Sequence, residues 1–411
     1  MIKENFTVSP KLKNTAFGVI GLGLLLVIIG LFINRVPVEI KGTTENHFAW
    51  TRFWANFLLS GFFFTAVGVL ATAFMCIQYL ANGGWYVAAK RIFEAFSQYL
   101  PIGFAVFIIL ILAGFLGHEH GVNALYEWTN TDEVAKDEVL QGKSPWLNLP
   151  FFAVRVCIYF GFWILFANKL RKQSIAEDSE PGINWYNKSM RTAATFLPIF
   201  GLTFCMASWD WMMSIQPHWY STMFGVNVFA ASLVAMMALV NMTAVLMKRA
   251  GYMSWINENH HHDMSKFMFA FSCFWAYTWV AQYLLIWYAN LPEETPYYIS
   301  RLHGAWKWLF AVNFILNFVA PFLLFMTRDS KRTENMIILT GIVVLVGKYI
   351  DWYLIIMPNS AKETSGFGFM EIGFFAFFAG LFILRTASAL TKANLIPQNH
   401  PFTEETLHHE I

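Results

Sequence analysis

Ten apolar windows, each long enough to cross about 30 Å of hydrocarbon, set the limits on what this chain can fold into. They cover roughly residues 16–34, 53–80, 92–116, 150–168, 190–209, 220–247, 266–289, 304–326, 335–356 and 367–386. Lipid offers a backbone no water to bond, so each window satisfies its own N–H and C=O groups as a helix. The expected fold class is an all-α polytopic membrane protein with about ten transmembrane helices. Composition agrees: 57% of the 411 residues are hydrophobic, 18% aromatic and 13% charged, far too apolar for a soluble protein of this length. A net charge of +2 with no basic patch gives no reason to expect a nucleic-acid partner.

Lys3, Lys11 and Lys13 precede the first window, which reads as a retained helix because no small-residue cleavage pattern follows it. With the N-terminus inside, the inner segments carry most of the Lys and Arg outside the windows, including Lys169, Arg171 and Lys172. That bias predicts a multi-pass protein of the bacterial inner (cytoplasmic) membrane with both termini in the cytoplasm. The longest outer segment, about 117–149, is acidic through Glu119, Glu127, Asp132, Glu133, Asp137 and Glu138. It reads either as a solvated loop or as a surface for a partner.

Two acidic residues break the apolar pattern at matching places. Cys205 to Pro217 reads CMASWDWMMSIQP and Gly347 to Pro358 reads GKYIDWYLIIMP, so Asp210-Trp211 and Asp351-Trp352 each precede a proline by the same spacing. A carboxylate in hydrocarbon costs about 2.5–3.5 kcal/mol on insertion scales, so its repetition calls for a reason. The two copies lie four windows apart and therefore cross in the same direction, as in a parallel duplication. Asn56 with Asn227, and Arg91 with Lys266, fit the same frame loosely. The predicted layout is an N-terminal segment with the first helix (1–52), two four-helix bundles (53–209 and 210–356), and a last helix with a cytoplasmic tail (357–411).

With Pro358 taken as a helix end, Asp351 sits about 10 Å inside it and Lys348 one turn deeper, on the same helical face and able to pair. Asp210 has Ala207 at the equivalent position and must find a partner elsewhere, stay protonated or meet water. Arg155, His218, His303, Lys307 and Glu371 fall at a similar level, as interfacial anchors or as the lining of a wet cavity open to the outer side. On the inner side, Glu94, Gln98, Asp263 and Lys266 are candidates for proton uptake, with Asp263 equally suited to capping a helix.

All eleven histidines lie in loops or at predicted helix ends, so no pair is placed to clamp a haem within the membrane. The run His260, His261, His262 points its side chains apart, which suits solvated histidines better than converging metal ligands. Cys76, Cys157, Cys205 and Cys273 stand singly in apolar windows and read as packing residues. Phosphate-binding glycine loops, HExxH motifs and nucleophile elbows are absent from the sequence.

The stretches DWMMSIQPHWYSTMFGVNVFA (Asp210 to Ala230) and FWAYTWVAQYLLIWYANLPEETPYY (Phe274 to Tyr298) resemble the membrane subunits of bacterial alternative complex III, a quinol:cytochrome c oxidoreductase. These belong to the polysulfide reductase membrane-subunit family, and the second stretch resembles its quinone-binding subunit 2 type. The resemblance implies ten helices in two four-helix bundles, with menaquinol oxidised and protons released at the outer side. It implies iron-sulfur clusters and haem c on partner subunits, a paralogous membrane subunit as neighbour, and a terminal oxidase as a further partner. Asp210 and Asp351 would then be carboxylates near the proton route, with His218 or Asp210 a base for quinol oxidation. The alternatives are a secondary transporter built from parallel repeats and a purely structural membrane anchor.

Overall fold

The computed structural model describes residues 4–33, 45–115, 125–361 and 366–410. Lys3 and Glu119 lie outside them. The protein is an all-α polytopic membrane protein, with ten helices among the described residues long and apolar enough to span a bilayer. They are α1 (Pro10–Ile33), α2 (Trp50–Ala81), α3 (Trp85–Phe115), α4 (Leu149–Ser179) and α5 (Asn184–Ile215). The other five are α6 (Phe224–Arg249), α7 (Glu258–Ala289), α8 (Lys307–Leu324), α9 (Glu334–Ser360) and α10 (Phe369–Leu390). Among the described residues the sole β feature is an isolated bridge between Asn5 and Asn394.

Several helices run past their apolar windows, because polar residues continue a helix wherever a neighbour buries them. α4 continues through Arg171, Ser174 and Glu177, all buried. Helix ends are set by local chemistry. Asn148 caps α4 by accepting from Phe151 N at 2.9 Å, and Asn257 caps α7 through N–H groups of Asn259 and His260. Asn290, at φ 49°, closes α7 in the left-handed conformation that asparagine tolerates. Pro358 does not end α9 as expected; it sits inside the last turn, and the helix carries on.

α2 to α5 pack in a ring, each against the next and α5 back on α2; α6 to α9 close a second ring in the same order. α2 touches both rings and α10, and its apolar window is buried around its whole circumference, as an all-round hydrophobic sequence requires. α1 and α10 form a pair against this core. Ala16, Gly23 and Gly30 recur at heptad spacing on α1 and face Gly373 and Gly380 on α10. A Cβ on Gly23 would lie 2.5 Å from Phe377 N, so backbones approach as only small residues permit.

The four cysteines are free, with Cys76 buried and Cys157 exposed. The histidine run departs from expectation. His260 and His261 are buried: His260 bonds Asn257 and Thr406, and His261 bonds Asn241 at 2.7 Å. The tail, from Asn394 to Glu410, folds over these groups instead of leaving them to water.

Candidate functional site

The two repeated aspartates have opposite surroundings. Asp210, near the end of α5, is fully engaged. Arg155 on α4 grips it with two teeth, Nε to Oδ2 at 2.7 Å and Nη2 to Oδ1 at 3.0 Å. Trp146 Nε1 donates to Oδ1 at 2.8 Å and Tyr159 Oη to Oδ2 at 2.9 Å. Arg155 is held in turn by Trp146 O and by the Trp146 and Phe151 ring faces. Segment 125–148 closes over this pair: Tyr126 Oη donates to Trp211 O at 2.8 Å, and Lys143 Nζ donates to Pro217 O. It thus packs as a plug on the first bundle more than as a free solvated loop. Four hydrogen bonds, two of them from Arg155, occupy this buried carboxylate, which stands as the counter-ion of Arg155.

Asp351 accepts only two bonds, from Trp275 Nε1 at 2.9 Å and Asn313 Nδ2 at 3.0 Å. The expected pairing with Lys348 is absent. Lys348 is fully buried, its Nζ has no hydrogen-bond partner, and it lies 4.2 Å from the Trp275 ring centroid. Asn317, one turn beyond Asn313 on α8, bonds back to Asn313 O and to Gly347 O. Arg155 and Tyr159 on α4 and Asn313 and Asn317 on α8 occupy matching places, the seventh and eleventh residues of their helices. The charged clamp of the first bundle is an amide clamp in the second.

Asp351 also lines a cavity of ≈ 30 Å³ within the second bundle. Asn227, Gln282, Asn313 and Arg301 supply its other polar walls. That space seats one or two waters with polar partners on several sides. Its roof is the short helix Pro296–Leu302, where Arg301 bonds Leu354 O at 2.8 Å and Ile355 O at 3.1 Å and stacks on Tyr297 at 3.5 Å. The cavity therefore has an acid on one wall and a guanidinium at its roof.

The remaining expected residues do not gather here. His218 is exposed and bonds Asp137 at 2.9 Å, apart from Asp210. His303 and Lys307 are exposed and do not line the cavity. Glu371 is buried against Arg52 at 2.8 Å and Asn56 at 2.9 Å and accepts from Gly368 N, which fixes the start of α10. Of the proton-uptake candidates, Glu94 joins a network of Arg91, Lys90, Glu177 and Asp178: Arg91 bonds Glu94 at 2.8 Å and also Asp178, and Lys90 meets Glu177 at 3.2 Å. Gln98 touches only Ser97 at 3.5 Å through its side chain, while its carbonyl accepts from Arg385. Asp263 pairs with Lys266 and with His409 of the tail, apart from Glu94.

No known family model matches this chain, and no curated protein does. Sequence reasoning passed over Asn313, Asn317, Gln282, Arg301, Lys90 and Glu177. The i, i+4 asparagines in the apolar eighth window were the readable signal; the others depend on which helices meet.

Proposed function

We propose that this chain is an integral membrane subunit of a respiratory quinol:cytochrome c oxidoreductase of the alternative complex III kind, and that its own chemical part is proton exchange toward the outer side at Asp351. The observation that carries this reading is the difference between the bundles: one aspartate is saturated by donors, the other faces a water-sized polar cavity. Asp351 has acceptor capacity left after its two bonds, so cavity water can deliver or remove a proton at its carboxylate. The likeness of Asp210 to Ala230 and Phe274 to Tyr298 to that family supplies the redox context.

A menaquinol head group does not fit the Asp351 cavity, which is water-sized. The larger groove between α7 and α8, lined by Tyr277, Leu284, Phe314 and Phe318, is almost wholly apolar and offers no proton acceptor. Quinol oxidation therefore belongs to the paralogous subunit beside the iron-sulfur protein, with electrons leaving to haem c, and this chain contributes scaffold and proton transfer. The orientation proposed is that of the bacterial cytoplasmic membrane with both termini inside.

Asp351→Asn in the intact complex tests the reading. Proton release per quinol oxidised should fall; an unchanged ratio overturns it. A secondary transporter is the second reading, favoured by the π-helical turn Ile315–Val319 that opens α8 beside Asn313 and Asn317. Purification in mild detergent separates the two: co-purifying haem and iron-sulfur proteins support the complex, and a lone chain supports the transporter.

A further inference from the structure

One lipid-facing ridge of α4 changes character along its length. Val154, Ile158, Phe162 and Leu165 are exposed at helical spacing on one face, and the same face continues into Lys169 and Lys172. Val154 and Lys169 are about 22 Å apart along the axis, so the lysines lie near one edge of the hydrocarbon if Val154 lies toward the other. Beside them the start of α5 brings up Trp185, with Lys188 Nζ 3.8 Å from its ring centroid. Leu165, Asn168, Lys169, Lys172, Gln173 and Trp185 line a groove of ≈ 410 Å³ between the two helices. Lys169, Lys172 and Lys188 are exposed, and none has a carboxylate within ion-pair distance among the described residues. Of the acids that follow in sequence, Glu177 pairs with Lys90, Asp178 with Arg91, and Glu180 accepts from Trp185 Nε1 at 2.7 Å.

Gln173 is 8% exposed and ties the two helices together, its Nε2 donating to Thr192 Oγ1 at 3.1 Å while that hydroxyl donates to Lys188 O at 2.9 Å. What fits the groove above them is an anion for the lysines and acyl chains for the ridge below.

We propose that this groove binds an anionic glycerophospholipid. The phosphate meets Lys169, Lys172 and Lys188, as basic pockets between transmembrane helices do. The acyl chains run along Leu165, Phe162 and Ile158, and Trp185 sits at head-group level.

The test is native mass spectrometry of the protein, with whatever co-purifies, titrated in mild detergent with phosphatidylglycerol, phosphatidic acid or phosphatidylcholine. Wild type should hold phosphatidylglycerol and phosphatidic acid about tenfold or more tighter than phosphatidylcholine. The variant K169Q/K172Q/K188Q should bring all three to the same level without lowering the melting temperature, because the three side chains are exposed. Equal binding of phosphatidylglycerol and phosphatidylcholine by wild type, or a preference that survives the triple substitution, overturns the site.

Discussion

Lys348 and Asp351 lie one helical turn apart on α9 and do not pair; both are taken up by Trp275. Asp351 accepts the indole N–H at 2.9 Å, and Lys348 Nζ rests 4.2 Å from the ring centroid. A buried amine with no hydrogen-bond acceptor contributes little as an anchor. Lys348→Met should therefore leave the melting temperature of the purified protein unchanged or raise it, since exchanging an unsatisfied polar group for an apolar one is neutral or favourable. If Lys348 were half of a structural ion pair, the same change would lower it.

Asp210 and Asp351 should respond differently to the same substitution. Asp210→Asn leaves the buried Arg155 guanidinium without its counter-ion, a loss of about 3–5 kcal/mol for a broken buried pair. Asp351→Asn disturbs two hydrogen bonds from uncharged donors and breaks no ion pair, at about 1–3 kcal/mol. Denaturation of the two variants side by side should show the larger loss for Asp210→Asn, and Asp351→Asn should show the larger loss of proton release.

The α1–α10 contact depends on backbone proximity at Gly23. Gly23→Leu places a side chain where Phe377 N and Gly373 O lie at 2.5 and 2.7 Å from a Cβ, so the helices must part at a cost of about 1–3 kcal/mol. Gly18→Leu, on the same helix with nothing within 4 Å, should be silent. Thermal melts of both variants check this.

Docking of the tail should weaken in acid. His400 is buried beside Lys90 and Arg91, and burial together with those charges holds its imidazole well below the ordinary 6.5. The unfolded or undocked imidazole takes up a proton near 6.5, and the docked one resists it. The stabilisation is thus complete above about 6.5 and is lost as pH falls below that value. Hydrogen exchange of residues 394–410 should speed up as pH drops through this window, after correction for intrinsic rates. His400→Gln should weaken the dependence, with His260, buried under Thr406 of the tail, supplying the remainder; a tail equally protected throughout would contradict the assignment.

The length of the apolar windows was enough to read the ten helices, because a span of lipid-crossing length is a local property of consecutive residues. The Asp-Trp echo likewise marked two of the places where charge is buried among them. The positive-inside pattern ordered the loops but had nothing to say about which loop would close over Asp210.

What sequence could not supply was the identity of each aspartate's partners. Arg155 stands 55 positions before Asp210, and Trp275 stands 76 before Asp351. In the second bundle, helical spacing nominated Lys348, yet the amide of Asn313 and the indole of Trp275 each take one carboxylate oxygen and leave further acceptor sites open. A helix fixes which residues share a face, and so the chain alone located the two acids. Only the packing of α4 on α5, and of α7 and α8 on α9, decided that one acid is sealed and the other lines a water-sized cavity, because donors reach a buried carboxylate from neighbouring helices at distances that no local pattern encodes.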